Sequence, residues 1–311
     1  MNKFLPEGYR IQTEENKRAV STPARLAEAM ERGTILEGRV TICDSSHNLW
    51  VDLPGMQAVI PREEGAVGIR EGTTRDIALI SRVNKPVCFV VTELTCDTAG
   101  APLAILSRRI AQERCQAQYL DACRPGDILP ACVTHLEPFG CFVDIGCGIP
   151  SLIPIDSISV SRISHPADRF TVGQQLRVIF KGREGKKILL THKELLGTWE
   201  ENAAQFQPGE TVAGIVRSVE NYGIFVELTP NLAGLAELKP NVTMGQHASV
   251  YIKSILPERM KIKLILVDVF APSVPEPAEL HYFIQDSHID RWQYASAAST
   301  KSMESLFTSS V

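Results

Sequence analysis

The chain has 311 residues, 44% hydrophobic and 22% charged, which is ordinary for a folded protein with room for two or three cores. Its net charge of −4 excludes a uniformly basic coat, so binding of a polyanion would need a local basic groove. No apolar run is long enough for a membrane-spanning helix. The opening Met1-Asn2-Lys3-Phe4-Leu5-Pro6-Glu7 has no secretory apolar core, and the expected location is the cytoplasm.

In chain order, residues 1–32 form an N-terminal segment. Thr22-Pro23 is a suitable N-cap and first-turn pair and Gly33 a suitable stop, so a helix is predicted over 23–32. Residues 33–109 alternate as strands, and 110–124 form a linker helix before Pro125-Gly126. Residues 125–197 give five strands: Ile128–Leu136, Gly140–Ile145, Ser151–Ile155, Gln174–Phe180 and Lys187–Leu190. Glycines at 146, 148 and 185 mark the turns. Thr191-His192-Lys193-Glu194 fits a capping box opening a helix toward Phe206, with 198–207 as a second linker helix. Residues 208–270 repeat the five-strand pattern at Val212–Val219, Gly223–Leu228, Leu235–Leu238, Ala248–Ile255 and Lys261–Val267. Five short strands in so few residues suit a small closed barrel. In the tail, 271–311, Pro272, Pro275 and Pro277 suggest a stiff linker. His281–Ile284 and Ile289–Tyr294 read as short strands, and Ser302–Phe307 as a helical turn.

The strand-rich segments are internal repeats. A shift of 83 residues aligns 125–152 with 208–235 without a gap, and eight of the 28 positions are identical. These include Gly140/Gly223, Phe142/Phe225, Val143/Val226 and Leu152/Leu235. A more divergent copy begins at Gly33 and matches at Glu37-Gly38-Arg39-Val40 and Leu49-Trp50-Val51-Asp52-Leu53. Repeats on this scale indicate three similar domains.

Each copy puts an aromatic on the face of its second strand opposite the apolar row. Cys141, Val143 and Ile145 point one way, Phe142 and Asp144 the other. Ile224, Val226 and Leu228 stand opposite Phe225 and Glu227. Leu49, Val51 and Leu53 stand opposite Trp50 and Asp52. An aromatic on a polar strand face is a candidate platform for stacking a nucleic acid base. Phe139 precedes Phe142 by three residues, as Tyr222 precedes Phe225. Both members can share a face only if the chain turns or bulges at Gly140 and Gly223.

Basic residues concentrate locally in the second copy at Arg177, Lys181, Arg183, Lys186, Lys187 and Lys193. The third has Arg217, Lys253, Arg259, Lys261 and Lys263. Residues 126–197 carry eight Lys/Arg against seven Asp/Glu, whereas 271–311 carry two against five. Gly182-Arg183-Glu184-Gly185-Lys186-Lys187 lacks the spacing of a phosphate loop and opens a strand, not a helix. The eight cysteines, Cys43, Cys88, Cys96, Cys115, Cys123, Cys132, Cys141 and Cys147, contain no C-x-x-C pair and read as mostly reduced small core residues. The scattered histidines form no metal motif, so no cofactor, metal or catalytic residue is expected.

Phe139-Gly140-Cys141-Phe142-Val143-Asp144, Tyr222-Gly223-Ile224-Phe225-Val226-Glu227, Gly234-Leu235-Ala236-Glu237-Leu238 and Lys261-Ile262-Lys263-Leu264 resemble the S-one RNA-binding domain. With the opening Gly33–Val40, the likeness spans about 33–270. The tandem order is similar to the bacterial ribosomal protein S-one family. The resemblance implies a mainly β chain of three tandem five-stranded OB-fold barrels joined by short α-helices. It also implies RNA sites at Phe139, Phe142 and Lys187, and at Tyr222, Phe225 and Lys261. From the local basic clusters, Arg177, Lys181 and Lys263 are expected to add phosphate contacts, and from strand alternation Trp50 is a weaker first-copy platform. Pro154 and Glu237 stand where many such domains have histidine. His47-Asn48 replaces the aromatic-glycine pair of the first copy, which is therefore expected to bind RNA weakly or to bind protein.

The function expected is single-stranded RNA (mRNA) binding as a component of translation, with the small ribosomal subunit as a candidate partner. No enzyme activity, membrane or small-molecule substrate is expected. The alternatives are an RNA-dependent regulator or protein-binding adaptor away from the ribosome, and an RNA-processing enzyme, for whose catalytic domain the repeats leave no stretch.

Overall fold

The computed structural model describes residues 4–54, 56–185, 187–271, 280–296, 299 and 303–307. The chain divides into two compact units. The first comprises Met1–Cys123 with Pro130–Cys132 and Asp144–Pro150, and the second comprises Arg124–Leu129, Val133–Val143 and Ser151–Val311. Among the described residues, no helix is long and apolar enough to cross a membrane.

In the N-terminal segment, α1 (Glu14–Ala19) and α2 (Pro23–Glu31) are both capped by threonine hydroxyls, those of Thr13 and Thr22. The strands β1 (Leu36–Cys43), β2 (Leu49–Leu53), β3 (Met56–Ile60), β4 (Pro86–Cys96) and β5 (Pro102–Ser107) close a barrel in the order β1-β2-β3-β5-β4. A short α3 (Ile77–Ile80) precedes β4, and α4 (Arg108–Gln118) follows β5, N-capped by Ser107. The second barrel is β6 (Ile128–Glu137), β7 (Gly140–Asp144), β8 (Pro150–Pro154), β9 (Gln175–Glu184) and β10 (Lys187–Thr191). Next comes α5 (Trp199–Ala203), then the third barrel: β11 (Thr211–Glu220), β12 (Gly223–Thr229), β13 (Leu232–Ala236), β14 (His247–Leu256) and β15 (Lys261–Phe270). In each barrel the third and fifth strands run parallel. The fourth and fifth strands of each run antiparallel. The fold is therefore the mainly β, three-barrel architecture that the repeats predict.

Alternation explains the cores. Cys141, Val143 and Ile145 are fully buried, as are Ile224 and Val226, while Phe142 and Phe225 stay half-exposed on the outer face. In the first unit the chain before α1 is held by buried carboxylates. Glu7 takes a bidentate ion pair from Arg108 at 2.6 and 3.0 Å, and Glu37 Oε2 accepts the backbone N–H groups of Gly8, Arg10 and Ile11.

Local predictions fail in two places. Thr191 closes β10 and does not open a helix. The capping box instead lies at Thr198 and Glu201, where α5 begins. Thr191 Oγ1 and Glu194 Oε2 hydrogen-bond directly, side chain to side chain, at 2.6 Å. In the tail, His281–Ile284 forms no strand. Only the centre of Ile289–Tyr294 does, as β16 (Arg291–Gln293), and it pairs with β17 (Glu304–Leu306) where a helical turn is expected. The proline linker, like Ser302, lies outside the described residues.

The tail is held to the rest of the second unit through its backbone. Phe283 N donates to Leu195 O, Ile128 N to Ser287 O, Ile289 N to Gly126 O, and Trp199 N to Tyr294 O. Tyr294 Oη then reaches Asn231 O at 2.6 Å, tying the tail to the third barrel. Tyr282 Oη joins two groups of the second barrel, lying 3.2 Å from Arg177 N and 3.2 Å from His192 Nε2. His192 Nδ1 sits 2.9 Å from Ile158 O, so its neutral Nδ1–H tautomer donates there and accepts from Tyr282. Burial pushes the His192 pKa down to about 4 from 6.5, against the opposing carbonyl contact. The folded histidine stays neutral where the unfolded one is charged. Its contribution is complete above pH 6.5 and is lost as pH falls toward 4, a range worth about 3 kcal/mol. Denaturant melts at stepped pH are expected to show stability falling through this window, and His192→Asn to show a flatter profile than the wild type.

Candidate nucleic-acid interface

Phe139 sits in the β6–β7 turn and Phe142 on β7. Their rings meet edge to face with centroids 6.0 Å apart at 88°. Tyr222 and Phe225 repeat the arrangement in the third barrel at 6.1 Å and 89°. The turn members are the exposed ones, with Phe139 56% and Tyr222 66% accessible. Each pair thus offers one ring edge-supported by another, an arrangement that leaves aromatic surface open to a base.

Glycine makes the pairs possible. A Cβ at Gly140 would lie 2.5 Å from Ile153 O, and one at Gly223 2.7 Å from Ala236 O. Gly223 also has φ of +153°, which a side chain strains. The turn that the spacing requires is present because the first aromatic lies outside the strand. Phe139 O is then placed to accept Ile155 N at 3.0 Å.

Register places basic groups beside the pair of the third barrel. Phe225 pairs with Leu235 of β13, and Leu235 with Lys263 of β15. Lys261 and Lys263 are both exposed and share the outer face. In the second barrel, Leu152 of β8 pairs with Leu189 of β10, with Lys187 two residues before Leu189. Lys187 and Lys181 are exposed. Lys186 lies outside the residues whose side chains are described.

Two expected positions have other partners. The Arg177 guanidinium lies over the Tyr282 ring, 5.7 Å from its centroid, and donates to the carbonyls of Ile284, Gln285 and Asp286. The tail takes this side chain. Trp50 is half-buried, its indole N–H donates to Asp44 Oδ2 at 3.2 Å, and its neighbour His47 occupies a turn at φ +63°. The position that gives the other two barrels their turn aromatic is Asn48's neighbour His47 here, so Trp50 lacks that second ring. This accords with the divergence of the first copy.

Some features are not evident from the sequence. The His135 ring lies 6.3 Å from Phe142 and enlarges the second platform. It is two residues from Glu137, whose carboxylate it contacts at 2.7 Å. Asp144 and Glu227 share the outward phase of the aromatics, but both are buried. Asp144 accepts the N–H groups of Glu7, Gly146 and Gly148. Glu227 is gripped by Arg217 at 2.8 and 3.2 Å and by Arg169. Burial alone would raise the Glu227 pKa, but the two guanidiniums hold it below the usual value. These carboxylates are structural, and the polar face open to a ligand is narrower than alternation suggests. Arg217 stands in a β-bulge between Val216 and Ser218, a feature with no sequence signal.

Residues 123–193 match the S1 RNA binding domain family. The chain is similar to small ribosomal subunit protein bS1 of Rhizobium meliloti, 27% identical over 83% of this chain and 47% of that protein. The corresponding protein of Leuconostoc lactis is 30% identical over 61% of this chain and 44% of its own length. The Bacillus subtilis homolog is 31% identical over 60% and 48%. The resemblance to the bacterial ribosomal protein S1 family drawn from the aromatic-glycine motifs is thus borne out. The chain spans about half the length of the curated relatives it matches.

Replacing either platform glycine is expected to loosen its barrel. Gly223→Ala combines an unfavourable φ with a carbonyl contact, a strain of about 1–3 kcal/mol. A denaturation midpoint below that of the wild type for both Gly140→Ala and Gly223→Ala is the expected result.

Proposed function

We propose that the protein binds single-stranded RNA, messenger RNA included, through its second and third barrels, and that it works in translation in the cytoplasm beside the small ribosomal subunit. The observation that carries this is the recurrence of one edge-to-face aromatic pair in two barrels, at centroid distances of 6.0 and 6.1 Å, beside exposed lysines. The family match over 123–193 and the ribosomal relatives support the same reading.

The mechanism is binding, not chemistry. Phe139, Phe142, Tyr222 and Phe225 stack bases, while Lys181, Lys187, Lys261 and Lys263 neutralise phosphates. Arg177 is excluded from this set, and the first barrel with Trp50 serves at most as a weak site. Two modest sites in one compact unit gain affinity because binding at one raises the effective concentration at the other. Stacking accepts every base, so sequence preference is slight.

Phe142→Ala combined with Phe225→Ala is expected to weaken RNA binding by at least about thirtyfold, since each stack is worth about 1–3 kcal/mol, without changing the melting profile. Unchanged affinity in a filter-binding titration would refute the assignment. Four phosphate contacts predict a slope of log affinity against log salt near −3, from about −0.7 per phosphate on a single strand. A slope beyond about −7 would mean that phosphate neutralisation outweighs stacking. Sedimentation with ribosomes before and after ribonuclease treatment tests the cellular role. Retention on ribosomes supports a translation component, whereas ribonuclease-sensitive association with messages alone indicates a general RNA binder.

A further inference from the structure

The three barrels can be superposed by register, and one strand face then behaves differently in each. Val40 N donates to Lys85 O, Val133 N to Gln174 O, and Val216 N to Gln246 O. These bonds fix equivalent positions on the first and fourth strands. Counting five residues along the fourth strand reaches Val90, Ile179 and Tyr251. Their partners on the fifth strand are Ser107, Thr191 and Ile265. All three positions point outward from their own barrels.

In the first barrel this face is covered by helices. Both α2 and α4 pack on β4, and Val90 and Ser107 are 2% and 0% accessible. In the second it is covered by the tail. Ile179 is fully buried in a cluster with Leu195 and Phe307, with Tyr282, Ile284 and Ile289 packed against it. In the third it is open: Tyr251 is 37% and Ile265 48% accessible. The residue type changes with the cover. Aliphatic side chains lie beneath chain segments, whereas the open position carries a tyrosine.

The open face is also charged and continuous with the aromatic site. Tyr251 pairs with Ile265, and Lys263 lies two residues before Ile265 on the same outer face. Lys263 pairs with Leu235, and Leu235 with Phe225. Lys253, exposed at the β14 bulge opposite Lys263, adds a further cation. Diagonal neighbours of this kind lie about 7–8 Å apart, close to the spacing of successive nucleotides in an extended strand. A protein segment such as covers the other two barrels would have to bury these lysines, whereas a phosphate backbone neutralises them.

We propose that Tyr251 is an additional stacking position for single-stranded RNA, extending the track of the third barrel from Tyr222 and Phe225 across Lys263 to β14. This rests on the aromatic pairs being the primary RNA site. The RNA crosses β12, β13 and β15, with its phosphates near Lys261, Lys263 and Lys253, and places a further base on the tyrosine ring.

The test compares two single-stranded RNAs of the same composition, one of about five nucleotides and one of about twelve, by fluorescence anisotropy with the full chain. Tyr251→Ala is expected to weaken the longer RNA roughly tenfold and leave the shorter unchanged, because one stack is lost only when the RNA is long enough to reach it. Tyr251→Phe is expected to keep wild-type affinity, and Tyr251→Trp to give an emission change on adding only the longer RNA. Equal affinity of Tyr251→Ala and wild type at both lengths would overturn the proposal. So would a loss at both lengths with a lowered melting temperature, which marks a structural residue. Unchanged RNA binding with an altered oligomeric state in light scattering would make the face a protein interface and equally overturn it. Tyr222→Ala and Phe225→Ala in parallel separate the two claims. If these fail to weaken either RNA, the primary site itself falls, whatever Tyr251 does.

Discussion

The aromatic platforms depend on a backbone contact at the start of the second strand of the second and third barrels. Gly140 and Gly223 press against carbonyls of the next strand so closely that a Cβ would stand 2.5 or 2.7 Å from oxygen. That approach seats the preceding turn against the barrel and brings its aromatic over the strand aromatic. Without it, residues three apart on a strand would face opposite ways. The site is thus a consequence of close backbone packing, and the side chains only decorate it. The first barrel, with His47-Asn48 in place of the aromatic and glycine, accordingly keeps the fold and loses the platform. Its Trp50 bonds instead to Asp44 within the same turn.

Barrel closure leaves the outward strand faces to be disposed of, and the chain disposes of them with its own segments. Helices α2 and α4 cover the first barrel, and the tail covers the second. The tail is fixed by backbone hydrogen bonds to Leu195, Ile128, Gly126 and Trp199, so its binding is specific in direction as well as apolar. The cost is that Arg177, basic and outward by sequence, is satisfied internally. The neutral His192 and Tyr282 Oη complete a polar chain within this contact.

The second and third barrels meet through charge. Arg169 follows the second barrel's third strand, whereas Glu227 and Arg217 belong to the third barrel. Removing one member of such a buried group leaves an uncompensated charge, which is strongly destabilising, whereas the intact group contributes less than its contacts suggest. The two aromatic pairs lie in one compact unit.

The fold class was legible in the sequence because strand periodicity and a repeat of 83 residues are local signals that survive divergence. The aromatic-glycine motif likewise identified Phe139, Phe142, Tyr222 and Phe225, since each lies within a few residues of its partner. What the sequence could not supply were facts that join distant segments. Asp144 and Glu227 have the right phase but not the right exposure, because what covers them lies 137 and 58 residues away. Arg177 reads as a phosphate contact in the sequence, yet a tail 105 to 109 residues downstream takes it. The capping box lies at Thr198 and not at Thr191 because β10 extends through Thr191 and takes its backbone. Alternation determines which way a side chain points from its own strand, but only the tertiary structure decides whether solvent or another segment awaits it there. That difference separates the buried Ile179 from the open Tyr251, two residues at one position of the same fold.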